Sequence, residues 1–96
     1  SATAELDTGK SISLTITPGE NTHEYTLSLN KDTVTLSALT ERLKARAEKN
    51  TQETGKKTGV MLFAGKEVDY QTLFKVLDQV RLAGITDVSL QAAAIE

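Results

Sequence analysis

The 96-residue chain has no cysteine, no tryptophan, one proline and one histidine. Without cysteine there can be no disulfide bond and no thiolate metal site. A Ser-His-Asp arrangement or a metal site would have to use His23 or carboxylates alone, and the carboxylates are scattered along the chain. A lone histidine in a turn is typical of a surface residue. The sequence therefore predicts no enzyme, no catalytic residues, no metal and no cofactor.

Long apolar runs are also missing. The longest is about five residues, against the roughly twenty that span a bilayer, so no membrane segment is predicted within the sequence. Apolar residues make up 39% of the chain, which suits one domain with a single modest core. Residues 55–58, Gly-Lys-Lys-Thr, lack the earlier glycine and the preceding strand of a phosphate-binding loop, so we do not interpret them as one.

The charges are unevenly distributed. The formal net charge of -2 argues against nucleic-acid binding, yet basic residues outnumber acidic ones between residues 42 and 57. Such a cluster is usually a solvated helix face and loop, and contact with an anionic partner is the alternative interpretation. The candidates for that contact are Arg42, Arg46, Lys49, Lys56 and Lys57.

The first half of the chain predicts a hairpin followed by a helix. Residues 11–17 and 25–29 alternate apolar and polar side chains on either side of a turn, which is typical of an antiparallel pair with one apolar face. A further short strand is possible near Thr33. Thr35 can cap a helix whose apolar face is predicted to comprise Leu36, Leu39, Leu43 and Ala47. Residues 50–58 are predicted to form a polar loop.

Residues 59–92 predict a strand, a helix and a second strand. The uninterrupted apolar run 60–64 favours a strand that is covered on both faces. Asp69 can cap the helix, and Gly84 followed by Ile85 predicts a Schellman ending. The helix is predicted to place on the sheet a stripe formed by Leu73, Phe74, Leu77, Val80 and Arg81.

The last strand, residues 87–92, alternates and is predicted to be more exposed than its parallel partner. As an edge strand it would present unpaired backbone groups to which an extended partner segment can add. A central or loop-protected position is the alternative. The candidate partner-binding residues are Asp87, Val88, Ser89, Leu90 and Gln91.

Together these patterns predict an α+β domain over residues 11–92. It has a small mixed sheet of four to five strands with two helices on one face, in the order β-β-α-β-α-β. Residues 1–10 are interpreted as a flexible lead-in and residues 93–96 as a frayed terminus.

Several short motifs in the second half resemble the periplasmic domain of the ExbD/TolR family. They are the apolar strand 60–64, then Lys-Glu-Val-Asp-Tyr at 66–70, Val-Leu-Asp at 76–78 and Ala-Gly-Ile at 83–85. The match is closest over residues 59–91, while residues 12–43 fit the family's hairpin and first helix in order and spacing. Gly65 stands where the family usually has aspartate, so no role of that carboxylate is carried over.

The resemblance implies the periplasmic domain of a single-pass inner-membrane protein of a Gram-negative bacterium. A cytoplasmic stub and a membrane helix would precede residues 1–10, and the family's proton-responsive aspartate would lie in that helix. ExbD-like members work with ExbB and TonB to couple the proton motive force to transport, such as siderophore uptake, through outer-membrane receptors. TolR-like members work with TolQ and TolA in envelope integrity and engage peptidoglycan.

The motif at 66–70 favours the ExbD branch, with TonB, ExbB and a second copy of the chain as partners. If a homodimer forms by exchange of terminal strands, residues 1–10 and the last strand are the expected elements. A small-ligand-sensing domain is a third interpretation, and it requires a closed apolar pocket for which this core leaves little room.

Overall fold

The described residues, 11–21 and 23–92 of a computed structural model, form five strands and two helices, an α+β fold as predicted. In chain order the elements are β1 (Ser11–Pro18), β2 (Tyr25–Leu29), β3 (Asp32–Val34), α1 (Leu36–Thr54), β4 (Gly59–Ala64), α2 (Tyr70–Leu82) and β5 (Val88–Ala92). The expectations for residues 1–10 and 93–96 lie outside the described residues.

The strands form one mixed sheet in the order β3-β2-β1-β4-β5. The predicted hairpin is present, since β1 pairs antiparallel with β2, and β3 confirms the short strand near Thr33. The predicted parallel pair is also present, because β4 pairs parallel with β5 on one side and with β1 on the other. The first strand in the sequence is therefore the central strand of the sheet.

Both helices cover the same face of the sheet, as predicted. The alternation of β1 sends Ile12, Leu14 and Ile16 to that face, where they are buried. They form one core cluster with residues from both helices, including Leu43 of α1 and Val76 of α2. The position of the helices leaves the opposite face of the sheet without a covering element among the described residues.

The prediction that β4 is covered on both faces is wrong. Val60 and Leu62 are buried on the helix side, but Met61 and Phe63 on the opposite side are only half-buried. Among the described residues no second layer lies on that side, because both helices pack on the other face.

Helix α1 is longer than predicted. The polar residues 50–54 continue the helix, and the loop begins only at Gly55, which has a φ of 73° and donates its backbone N–H to the carbonyl of Thr51 at 2.7 Å. The hydroxyl of Thr54 also donates to the carbonyl of Asn50. Polar residues are compatible with a solvated last turn, so the glycine marks the end of the helix better than the loss of apolar residues does.

The ends of α2 follow the predicted local chemistry. The side chain of Asp69 accepts a hydrogen bond from the backbone N–H of Thr72 at 3.0 Å, and this is the N-cap. Gly84 has a φ of 86° and donates its N–H to Arg81, while Ile85 donates to Val80. These two bonds define the Schellman motif.

The buried face of α2 matches the prediction in part, since Val80 is buried and Leu73 and Leu77 are half-buried against the core. Thr72, Val76 and Val80 are buried, whereas Phe74 is 63% exposed and Arg81 is exposed. Each helical residue advances by about 100°, so Phe74 lies roughly 200° away from both Thr72 and Val76. Burial of the 72–76–80 row therefore turns Phe74 outward, away from the sheet.

Candidate functional site

Strand β5 lies at one edge of the sheet, as the edge interpretation predicts. The N–H of Val60 in β4 donates to the carbonyl of Asp87 at 2.8 Å, which fixes the phase of the ladder. Since backbone groups alternate in direction along a strand, Ser89 and Gln91 bond toward β4. The N–H and C=O groups of Val88 and Leu90 then point away from the sheet, where an added strand would bond.

The other edge of the sheet is less suited to the addition of a partner strand. Strand β3 has only three residues, and its first residue, Asp32, accepts a hydrogen bond from the guanidinium of Arg46 at 2.7 Å. Short strands and charged side chains are features that protect sheet edges from further pairing. Strand β5 carries no charged side chain. Among the described strands, β5 is thus the edge that is suited to strand addition.

Two depressions lie beside β5, between this strand and α2. Val88 and Leu90 contribute from the strand, and Leu90 lies in register with the buried Leu62 but is 57% exposed because the sheet ends there. We call the two depressions together the α2–β5 groove. Its other apolar wall is formed by side chains of α2, namely Tyr70, Leu73, Phe74 and Leu77.

Two aromatic rings on α2 form an exposed part of the groove wall. The rings of Tyr70 and Phe74 are stacked, with centroids 6.2 Å apart and an angle of 19° between their planes. Tyr70 is 76% exposed and Phe74 is 63% exposed. Exposed aromatic side chains beside a strand edge provide the large apolar contact area that is typical of protein-binding sites.

Charged side chains of both signs border the groove. Lys75, Asp78 and Arg81 lie along the part nearest Val88. Lys66 and Asp69 lie at the end nearest Leu90. An apolar floor with charges of both signs at its rim has the composition of a protein–protein interface, in which rim charges influence orientation more than affinity.

The predicted basic residues do not form one concentrated patch. Arg42, Arg46 and Lys49 share one side of α1 by their spacing, whereas Lys56 and Lys57 follow its end. Arg46 is paired with Asp32, and Arg46 and Lys49 line a shallow cleft with Glu53. The nearby carboxylates reduce the local excess of positive charge that the sequence shows.

His23 lies at the surface, as predicted, but it makes a specific contact. Its side chain is 66% exposed, and its Nδ1 lies 2.7 Å from Oδ2 of Asp69. This contact joins the β1–β2 turn to the N-terminus of α2. Across the described residues no group of three His, Asp or Glu side chains comes together in a way that could hold a metal ion.

The pKa of Asp69 is lowered from 3.8 to about 2. The largest cause is hydrogen bonding to its carboxylate by the side chain and then the backbone N–H of Thr72, with a smaller contribution from His23, while burial acts in the opposite direction. Since the folded-state pKa lies below the unfolded one, the carboxylate stabilises the fold above about pH 4, and this contribution is lost as the pH falls through about 2.

This shift gives a prediction for acid unfolding. Asp69→Asn retains a capping side chain but cannot titrate, so we expect wild-type protein to lose stability relative to this variant between about pH 4 and pH 2. Urea unfolding of both proteins at a series of pH values, followed by far-UV circular dichroism, measures the difference. Two curves that stay parallel through that range would show that Thr72 and His23 do not stabilise the charged carboxylate.

The sequence pattern predicts the exposed strand β5 but not the groove. Tyr70 was assigned no role, and Phe74 was placed on the buried stripe. The available signal was the four-residue spacing of these two aromatic residues, which puts them on one helix face whichever residues that helix buries.

A small mixed sheet with one open edge and an adjoining apolar groove is the architecture of an interaction module. The family model for biopolymer transport protein ExbD/TolR matches residues 1–94, so the chain belongs to the ExbD/TolR family. Proteins of this family are inner-membrane transport accessory proteins with a periplasmic domain, and they act in multi-subunit complexes. A comparison with curated proteins gave no match. Neither described helix is long and apolar enough to cross a bilayer.

Proposed function

We propose that this chain is the periplasmic domain of an ExbD-like subunit of the ExbB–ExbD–TonB complex, and that it acts without catalysis. In this role it dimerises and contacts TonB, while ExbB is contacted through a membrane helix outside residues 11–92. The complex uses the proton motive force of the inner membrane to drive nutrient transport, such as siderophore uptake, through outer-membrane receptors. Membership of the ExbD/TolR family supports the transport role.

The observation that carries the partner-binding part of this proposal is the edge of β5 beside the α2–β5 groove. The outward backbone groups of Val88 and Leu90 can pair with an extended segment of TonB. Alternate side chains of that segment would then lie against Tyr70 and Phe74, which are otherwise exposed. The interface therefore comprises residues 87–91 together with the aromatic wall of α2.

A backbone amide NMR titration with the periplasmic region of TonB tests this proposal. We expect shifts concentrated in β5 and along the groove, and none in β3. The same titration with TolA is the matched comparison, since it presents the partner of the TolR branch. Absence of shifts at millimolar TonB would contradict the proposal, and shifts with TolA alone would assign the chain to the TolR branch.

The second candidate function is that of a TolR-like subunit of the Tol–Pal system that engages peptidoglycan and supports envelope integrity. The position of Arg42, Arg46 and Lys49 on one side of α1 favours it, since peptidoglycan carries carboxylates. Lys56 and Lys57 would extend that contact beyond the helix. Sedimentation with purified sacculi at low and high salt tests this function. Protein that stays in the supernatant at low salt would contradict it.

A further inference from the structure

The face of the sheet opposite the helices has an unusual composition. Charged residues make up 25% of the whole chain, but Asp32 is the only one in the five strands. Asp32 lies opposite the buried Leu29 and bonds to Arg46 of α1, so it belongs to the helix side. The opposite side of the sheet, which we call the open face, therefore carries no charged side chain on any strand.

The open face has a small apolar centre within a field of hydroxyl groups. The strand register places Met61 between Ser13 and Ser89, and it places Phe63 between Thr15 and Gln91. Strands β2 and β3 add only serine and threonine on this side. An apolar centre with a neutral polar rim resembles the organisation of a protein–protein interface.

This composition is complementary to itself. A hydroxyl group both donates and accepts hydrogen bonds, so a serine- and threonine-rich face can satisfy an identical face, which a surface of one charge sign cannot do. The described charged residues lie in turns, in helices or, for Asp32, on the helix side. The strands of the open face can therefore approach those of a second copy without bringing like charges together.

We propose that two copies of this chain associate through their open faces, with the Met61 and Phe63 side chains of each copy at the centre. Two sheets that pack in this way lie about 10 Å apart. The inference rests on the homodimer part of the proposed function, and it assigns to that dimer a surface separate from β5. It leaves the β5 edge and the α2–β5 groove of both copies available for a partner.

The expected dimer is weak. Five strands about 4.8 Å apart and about 17 Å long give a flat area of roughly 400 Å² for each copy. Stable complexes bury about 800 Å² on each partner, so association is expected to be measurable only at high protein concentration.

The proposal is tested by NMR on the wild-type domain at protein concentrations from about 20 µM to 2 mM, which covers the range of weak dissociation constants. Translational diffusion and amide chemical shifts are measured at each concentration. We expect slower diffusion with increasing concentration, together with shifts at Thr15, Met61 and Phe63. Thr15→Lys should weaken association by about tenfold or more, because it places two like charges at the centre of the interface. Thr51→Lys makes the same change on the exposed side of α1 and should leave association unchanged.

A further variant distinguishes association through the open face from association through the edge of β5. Leu90→Pro blocks the edge and should leave self-association intact. If Leu90→Pro abolishes association and Thr15→Lys does not, the dimer forms through β5 and the open-face proposal is wrong, although the edge itself remains an interface. Diffusion that does not depend on concentration up to 2 mM would also overturn it.

Discussion

Replacing Leu90 by proline is expected to abolish binding of an extended partner to β5 while leaving the domain folded. The N–H of Leu90 points away from β4 by the phase of the ladder, so its loss removes no bond within the sheet. The proline ring also occupies the space that an incoming strand about 4.8 Å away requires. We expect the affinity for the partner segment to fall by about a hundredfold, or about 3 kcal/mol.

Two control variants distinguish the loss of the Leu90 N–H from the loss of its side chain and from unfolding of the domain. Leu90→Ala keeps the N–H and removes only a side chain that is 57% exposed, so it should retain most of the binding. Ser89→Pro removes an N–H that bonds toward β4 and should destabilise the domain itself. Isothermal titration gives the affinities, and urea unfolding shows which variants remain folded. Undiminished binding by a folded Leu90→Pro protein would exclude strand addition at β5.

Leu62→Ala is expected to cause the largest loss of stability among single core substitutions in β4. Leu62 is fully buried on the helix side of that strand, between the registers of Leu14 and Leu90. Removing a buried leucine side chain costs about 2–5 kcal/mol, because the transfer free energy is lost and a cavity remains. Domains of this size are stable by only about 5–15 kcal/mol, so this loss is a large fraction of the total.

The matched control is Met61→Ala, the neighbouring residue of the same strand on the open face. Met61 is half-buried, so its truncation should cost clearly less than that of Leu62. Because the chain has no tryptophan, urea unfolding is followed by far-UV circular dichroism. Equal losses for the two variants would mean that both faces of β4 are packed alike.

Local chemistry predicted the ends of the second helix better than its orientation. The cap at Asp69 and the glycine at 84 act through bonds to residues within five positions, and the structure contains those bonds. The helix face depends on contacts with distant strands. Phe74 and Val76 are both apolar but lie on nearly opposite sides of the helix, and only packing on the sheet favours burial of Val76.

The same distinction applies to the sheet and to the candidate site. Alternation and turn residues identified the hairpin, and the strand–helix–strand pattern identified the parallel pair. The position of β1 between β2 and β4 depends on pairing between strands that are more than forty residues apart in the sequence. No local sequence pattern predicts such pairing. The α2–β5 groove was not predicted for this reason, since its lining combines side chains of α2 and β5 that only the fold brings together.

The central position of β1 has a mechanical consequence. A force applied at Ser11 acts along a strand that is bonded on both sides, to β2 and to β4, whereas β5 is bonded to β4 alone. Under tension between Ser11 and a partner paired with β5, we expect the single ladders at that edge to separate before β1 separates from its two neighbours. The domain then releases its load at the edge while the central strand and the core beneath it stay in place.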